Sequence, residues 1–465
     1  MTDTSFLNAL LSTEQVSTTD ADRDHHGRDW GTAERDASPP DVVVWPETTA
    51  EVADVLAAAT ERGVPVTPFA AGTGIEGNAV PTHGGISLDL TRMDSVDEVR
   101  PADRQIDVEA GVVGAAVDDA VASHGLFFPP LPTSAEMATV GGMIATNASG
   151  KRTVKYGKVA DWVREIEVVL ADGSVFTAGT RAEKSSSGYN LRDLIVGSEG
   201  TLGVVTRATL QLAGRPEQSR VGRASFASIE DATAAAADIV RSGVDVSAVE
   251  LVDTLSARMV NDYIGSTLPE GPMLFLELQA DHAVDAEVDF CRGVIDAHDP
   301  VSVEFEDRST GADVWEPRRE LADAVRAYYP DRRSLHAGDV AVPVSSYAAL
   351  LGRIHELSDE YDIPIPTFGH AGDGNVHFDV LVDPTDESSV ADAADIYEEV
   401  VGMAIDLGGT ATGEHGIGRG KRRFLLVEHG ETGVRAMRAI KDALDPAGTL
   451  NPGKIFPDEP DESSE

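Results

Sequence analysis

Near its C-terminal end the chain reads Gly369-His370-Ala371-Gly372-Asp373-Gly374-Asn375-Val376-His377, and further on Gly413-Glu414-His415-Gly416-Ile417-Gly418. Three imidazoles and a carboxylate stand among glycines and small residues. Glycine tolerates tight and left-handed backbone, so side chains from two distant segments can converge where bulkier neighbours would clash. Neutral imidazole nitrogens and a carboxylate oxygen are the ligand set of a divalent transition metal such as zinc or manganese. Glu414 and His415 are adjacent, and in extended backbone they point to opposite sides. One can then ligate a metal while the other moves a proton. A lone His pair reads as core or surface; two clusters, each set in glycine, read as a catalytic metal site.

The elements that must hold these clusters follow from pattern. Residues 1–40 are polar, end in Ser38-Pro39-Pro40, and form a lead-in with one short helix near 5–11. Beyond them the pattern predicts strands over 42–45, 64–68, 85–90, 105–110, 166–170, 174–178 and 203–212, with helices over 49–62, 114–124 and 137–146. The texture changes after Ala213-Gly214-Arg215-Pro216. Helices are expected over 229–242, 283–298 and 346–362, and strands over 273–278 and 339–343. The fold class is α+β, with a first domain over 41–216, a second over 217–456 and an acidic, disordered tail over 457–465.

The first domain carries three runs of small residues: Pro68-Phe69-Ala70-Ala71-Gly72-Thr73-Gly74-Ile75-Glu76-Gly77-Asn78, then 138–150, then Gly197-Ser198-Glu199-Gly200-Thr201-Leu202-Gly203. The first can cradle a phosphate through backbone N–H groups. It is neither G-x-G-x-x-G nor a Walker loop. Three such runs in one domain suggest an extended ligand held largely by backbone, as a dinucleotide is.

The order of these runs, followed by the two His clusters and Asp445-Pro446-Ala447-Gly448-Thr449-Leu450-Asn451-Pro452-Gly453-Lys454, resembles the FAD-linked dehydrogenases of the vanillyl-alcohol oxidase superfamily. Within it, the chain is most similar to the branch of D-lactate dehydrogenase (cytochrome) and the flavin-bearing subunit of glycolate oxidase, over roughly 40–456. The resemblance implies a two-subdomain FAD-binding (PCMH-type) domain followed by an α+β FAD-linked oxidase C-terminal domain for substrate and metal. It implies FAD contacts from Ala71, Gly72, Thr73, Gly74 and Asn78 at the pyrophosphate. Pro132, Thr133, Thr139, Gly141, Gly142, Asn147 and Ser149 would lie along the flavin, Glu199, Gly200 and Val204 near the adenosine half, and Asn451 would reach the flavin from the C-terminal domain. The loop holds no histidine, so FAD is expected to be noncovalent. Where the family often opens this loop with Arg-Gly-Gly, this chain has Phe69-Ala70-Ala71. The same resemblance maps His370, His377 and Glu414 onto metal ligands and His415 onto the catalytic base. Trp315-Glu316-Pro317-Arg318 matches Trp-x-x-Arg and makes Arg318 the group for the substrate carboxylate.

The implied reaction is oxidation of a D-2-hydroxy acid, D-lactate to pyruvate first, by hydride transfer to flavin. A guanidinium can bind a carboxylate through two parallel hydrogen bonds, and an imidazole can take a proton near neutral pH. Glycolate and D-2-hydroxyglutarate are alternatives within the family, as is a catalytic subunit of a larger complex. A metal-dependent hydrolase or lyase would need only the His clusters and would leave the three Gly-rich runs without a purpose. The electron acceptor is open among quinone, a cytochrome, an electron-transfer flavoprotein and an iron–sulfur protein. So is the oligomeric state, with a homodimer among the options.

The 465 residues include 80 acidic against 37 basic ones, a net charge of −43, and only seven lysines. Such a field repels nucleic acid and anionic lipid and excludes both as partners. The single Cys291 excludes an internal disulfide, and no apolar run approaches a membrane span. The expectation is a cytoplasmic protein, peripheral to a membrane only through its electron acceptor. Acidity spread along the whole chain fits adaptation to high salt, because at about molar ionic strength the Debye length is only ~3 Å and self-repulsion is screened. Circular dichroism and activity followed down a KCl series should therefore show loss of fold in dilute buffer. A protein that stays folded and active there would refute the halophilic reading.

Overall fold

A computed structural model describes residues 3–33, 36–336 and 338–458; the part of the expected disordered tail beyond 458 lies outside them. The chain divides into two compact units, each discontinuous in sequence. The first comprises 1–149, 158–215 and 414–465; the second comprises 150–157 and 216–413. A linear division near 216 does not express these two excursions.

Two larger sheets build the first unit, beside the two-stranded pair Leu126–Phe127 and Ala213–Gly214. Strands Val42–Val44, Ile86–Asp89 and Val66–Phe69 run parallel, in that order, with Val16–Ser17 antiparallel at the edge. The three parallel strands are short and almost wholly buried, as parallel strands are. The helix Thr49–Arg62 starts where the Thr48 hydroxyl accepts from the Glu51 N–H and stops at Gly63, which takes φ 63°. The second sheet is antiparallel, in the order Val96–Arg100, Gln105–Glu109, Val204–Gln211, Val163–Val169, Val175–Gly179. Its core is closed by Val140, Met143 and Ile144 of the helix Val140–Thr146. Strand Val96–Arg100 has no counterpart among the expected elements, because its exposed Asp97 and Glu98 break the alternation.

One seven-stranded antiparallel sheet organises the second unit, in the order Ser302–Asp307, Gln218–Ser225, Met273–Ala280, Val246–Val252, Thr367–His370, Asn375–Phe378, Gly338–Ala341. Met273–Ala280 and Val246–Val252 form its centre and are buried almost throughout. The expected helices appear as Ile229–Ser242, Val284–Asp296 and Tyr347–Tyr361. The hairpin Thr367–His370/Asn375–Phe378 needs its glycines. Gly374 takes φ 86°, and a Cβ there would lie 1.9 Å from the Val342 carbonyl oxygen. In contrast, Gly402 sits inside the helix Glu387–Asp406 with open space around it.

These two glycines give opposite predictions. Gly374→Ala should lower unfolding free energy by about 1–3 kcal/mol through backbone strain alone. Gly402→Ala should raise it by about 0.4–1 kcal/mol by restricting the unfolded chain. Denaturant unfolding in high salt checks both; equal effects would mean that the hairpin is not held as described.

Candidate functional site

The second unit places a charged chain across its sheet. Glu250 and His370 face each other in register on neighbouring strands. The Glu250 carboxylate, 1% exposed, accepts from His370 Nδ1 through one oxygen. Through the other it accepts from Arg318 Nε and Nη2 at 2.9 and 2.6 Å. Burial works against ionisation of Glu250, but the charges of His370 and Arg318, the His370 hydrogen bond and Lys151 outweigh it. They hold the carboxyl below its ordinary range. With Nδ1 donating to a carboxylate, a neutral His370 ring presents its lone pair at Nε2.

His377 stands on the return strand with its ring perpendicular to that of His370, centroids 5.4 Å apart, and with ring nitrogens within 4.8 Å of each other. The turn between them is closed by Asp373 and Gly374 N–H groups donating to the His370 carbonyl. Asp373 accepts from Asn375 N–H at 3.2 Å, which holds the shape of the loop. Asn375 Nδ2 donates to Asp339 Oδ1 at 2.7 Å and to the Val340 carbonyl, while its own Oδ1 is buried without a hydrogen bond. Two imidazoles, one oriented by a carboxylate, beside an unsatisfied amide oxygen are a donor set that suits a divalent cation. Gly413 closes the second unit against this cluster: a Cβ on it would lie 2.1 Å from Asn375 Nδ2 and 2.8 Å from Asp339 Oδ1. Glu414 and His415 are the next two residues and open the final segment of the first unit.

Arg318 lies one helical turn beyond Trp315, whose ring is buried and whose indole N–H donates to the Leu276 carbonyl. The Nε/Nη2 edge of Arg318 is taken by Glu250, so the two parallel bonds expected to a substrate carboxylate cannot form on that edge. Sequence reasoning missed Glu250. Its signal is a single carboxylate inside the otherwise apolar or small run Val246–Val252.

The first unit holds the residues expected at FAD. In the loop after strand Val66–Phe69, the carbonyls of Gly72 and Gly74 accept from Trp30 and Gly31 N–H groups at 3.0 and 3.3 Å. Among the described residues no acceptor meets the N–H groups of Ala71, Gly72, Thr73, Gly74 and Ile75. Gly72 takes φ 62°, whereas Ala70 and Ala71 keep ordinary backbone, so neither alanine is strained. Successive unsatisfied amides around a left-handed residue form an anion-binding concavity, which fits a pyrophosphate. Pro132 and Thr133 lie in the open segment before the helix Val140–Thr146. Thr139 caps that helix by accepting from Gly142 N–H, Gly142 is exposed, and Gly141 packs against Ala110, where a Cβ would come within 2.8 Å. Asn147 closes the helix at φ 50° and its Oδ1 accepts from Ala160 N–H. Ser149 and Val204 are buried, and Gly200 packs on Pro68.

Glu199 and Asn451 are engaged with the protein itself. The Glu199 carboxylate accepts from Asn78 Nδ2 and from the N–H groups of Ile417 and Gly418 at 2.6, 2.7 and 2.9 Å. Burial pushes its pKa up against those hydrogen bonds. Asn451, inside the first unit, donates to the carbonyls of Asn78 and Glu199.

Known proteins place this arrangement. A domain described as FAD binding domain matches residues 40–179, and one described as FAD linked oxidases, C-terminal domain, matches 215–455. The chain is 36% identical over 447 residues to the mitochondrial D-lactate dehydrogenase [cytochrome] of Arabidopsis thaliana, covering 96% of this chain and 78% of that one. It is 35% identical to glycolate oxidase subunit GlcD of Bacillus subtilis, covering 90% and 89%. Its fold is that of p-cresol methylhydroxylase, at a TM-score of 0.79 and 18% identity, covering 98% of this chain and 96% of that one. The chain therefore belongs to the FAD-linked oxidases, in the family of D-lactate dehydrogenase (cytochrome) and glycolate oxidase GlcD, and is an FAD-dependent dehydrogenase.

Proposed function

We propose that this dehydrogenase oxidises a D-2-hydroxy acid, D-lactate before others, to its 2-oxo acid and passes the electrons to an acceptor other than NAD. The observation that carries the reading is the buried chain Arg318–Glu250–His370 with His377 beside it. It sets a cation for a carboxylate and two oriented imidazoles for a metal on one sheet. In this reading the region 41–216 holds FAD noncovalently, with Ala71 to Asn78 at the pyrophosphate, and 217–456 holds the substrate. Glu414 joins His370 and His377 as the third ligand of a zinc or manganese ion. The support is covalent: Glu414 follows Gly413, which is pressed against Asn375 and Asp339.

Bound FAD would supply hydride acceptance, and a bound divalent ion would supply Lewis acidity toward the substrate hydroxyl. The protein's own groups do the rest. Arg318, its Nε/Nη2 edge held by Glu250, adds to the positive field at the substrate carboxylate and helps to fix its end. Glu250 fixes the His370 tautomer. His415, next to the ligand Glu414, takes the hydroxyl proton. A cytochrome acceptor is favoured by the name of the Arabidopsis relative; glycolate as substrate is favoured by that of the Bacillus relative.

Two variants test the assignment. His415→Ala should slow flavin reduction by D-lactate at least ~10²-fold in anaerobic stopped flow, in line with general-base effects. A rate near wild type would remove His415 from the mechanism. Glu250→Gln should weaken divalent-metal binding about 10–100-fold, read by metal analysis after dialysis against a graded chelator. Unchanged metal retention would mean that Glu250 does not orient a ligand.

A further inference from the structure

We propose that Lys151 is the cation that binds the carboxylate of the 2-hydroxy acid, completing the charge that Arg318 shares with Glu250. This rests on the hydroxy-acid reading above. Lys151 belongs to the short excursion 150–157 that packs within the second unit. Its neighbours fasten that segment to the sheet. Arg152 donates to Glu277 at 3.2 Å, Lys155 to the Gln279 carbonyl at 2.7 Å, and Tyr156 to Gln279 Oε1 at 3.0 Å. Val154 packs on Gly372, in the turn between His370 and His377. The segment therefore presents Lys151 from a fixed backbone beside the candidate metal hairpin.

Unlike Arg152 and Lys155, which pair with Glu277 and Asp245, Lys151 makes no direct ion pair, and Glu250 acts on it only through space. Among the described residues its ammonium meets no hydrogen-bond acceptor and no carboxylate in ion-pair range; it lies 4.7 Å over the Trp315 ring. Trp315 and Arg318 are three residues apart on one helix and so share a face. Lys151 feels the charges of Arg152, Arg308 and Arg318, and these four cations are set against two buried carboxylates, Glu250 and Glu277. Excess positive charge inside a chain of net charge −43 is a site built for an anion. Burial, with the charges of Arg152, Arg308 and Arg318, pulls the Lys151 ammonium down to about 8, and a bound carboxylate would relieve that penalty. Arg318 cannot do this alone, because its Nε/Nη2 edge is already neutralised by Glu250.

The test is equilibrium binding of pyruvate and of 2-oxoglutarate to the FAD-loaded protein, read by perturbation of the flavin absorbance. Lys151→Met should weaken both by about 10–100-fold, the range of a lost charge-assisted hydrogen bond. Lys151→Arg should recover most of the affinity, and Lys151→Gln stands in if the Met variant does not fold. Wild-type affinity in Lys151→Met and Lys151→Gln overturns the assignment. A loss confined to 2-oxoglutarate also overturns it, because Lys151 would then serve the far end of a diacid. Wild-type protein that binds neither acid, nor D-lactate, fails at an earlier point: the hydroxy-acid reading falls, and this inference with it.

Discussion

A carboxylate buried in the middle of a sheet is the constraint on which the second unit turns. Desolvating an ion of that size costs several kcal/mol, and only good geometry with more than one partner offsets it. Glu250 has both: an imidazole on one oxygen and a guanidinium on the other. The register Glu250↔His370 is therefore fixed by charge as well as by packing, since a slip of one residue would turn Glu250 to the other face of the sheet. That register places the hairpin, the hairpin places His377, and the turn between them accommodates Val154 of the 150–157 excursion. The helix that carries Arg318 is tied to the sheet by the same carboxylate.

The first unit uses a related device. Glu199 is buried, adopts φ 53°, and gathers N–H donors from Asn78, Ile417 and Gly418 around one carboxylate. Asn451 and Lys454 complete the knot through carbonyls of Asn78, Glu199 and Val80. The segment after 413 is thereby bound to the loop that follows strand Val66–Phe69. Small-residue runs that look alike in sequence consequently do different jobs. The amides of Ala71 to Ile75 are turned away from protein acceptors. Gly141, Gly200 and Gly203 instead let backbone approach Ala110, Pro68 and Val168 closely.

Much of this was legible in the chain. The helices Thr49–Arg62 and Ile229–Ser242 have the limits that Thr48, Gly63, Ser228 and Gly243 announce, because caps are local chemistry. The family was legible because its motifs are long and ordered. Strands Gln218–Ser225 and Ser302–Asp307 were not, since Arg220, Arg223 and Glu304 break the apolar signal and find partners only after pairing. Glu250 and Lys151 escaped for the same reason: a charge is informative only once its neighbours are known. The packing of 150–157 with one unit and 414–465 with the other is likewise a tertiary fact, invisible to a left-to-right division.

The central claim is that a flavin and a D-2-hydroxy-acid site belong to this one chain. The most direct measurement is the anaerobic visible spectrum of the protein purified in high salt, before and after D-lactate and, separately, L-lactate. The account predicts flavin bands that D-lactate bleaches and L-lactate leaves intact. A flavin spectrum unchanged by either isomer would contradict the lactate assignment, and a colourless protein that stays apo when FAD is supplied would contradict the flavin site itself.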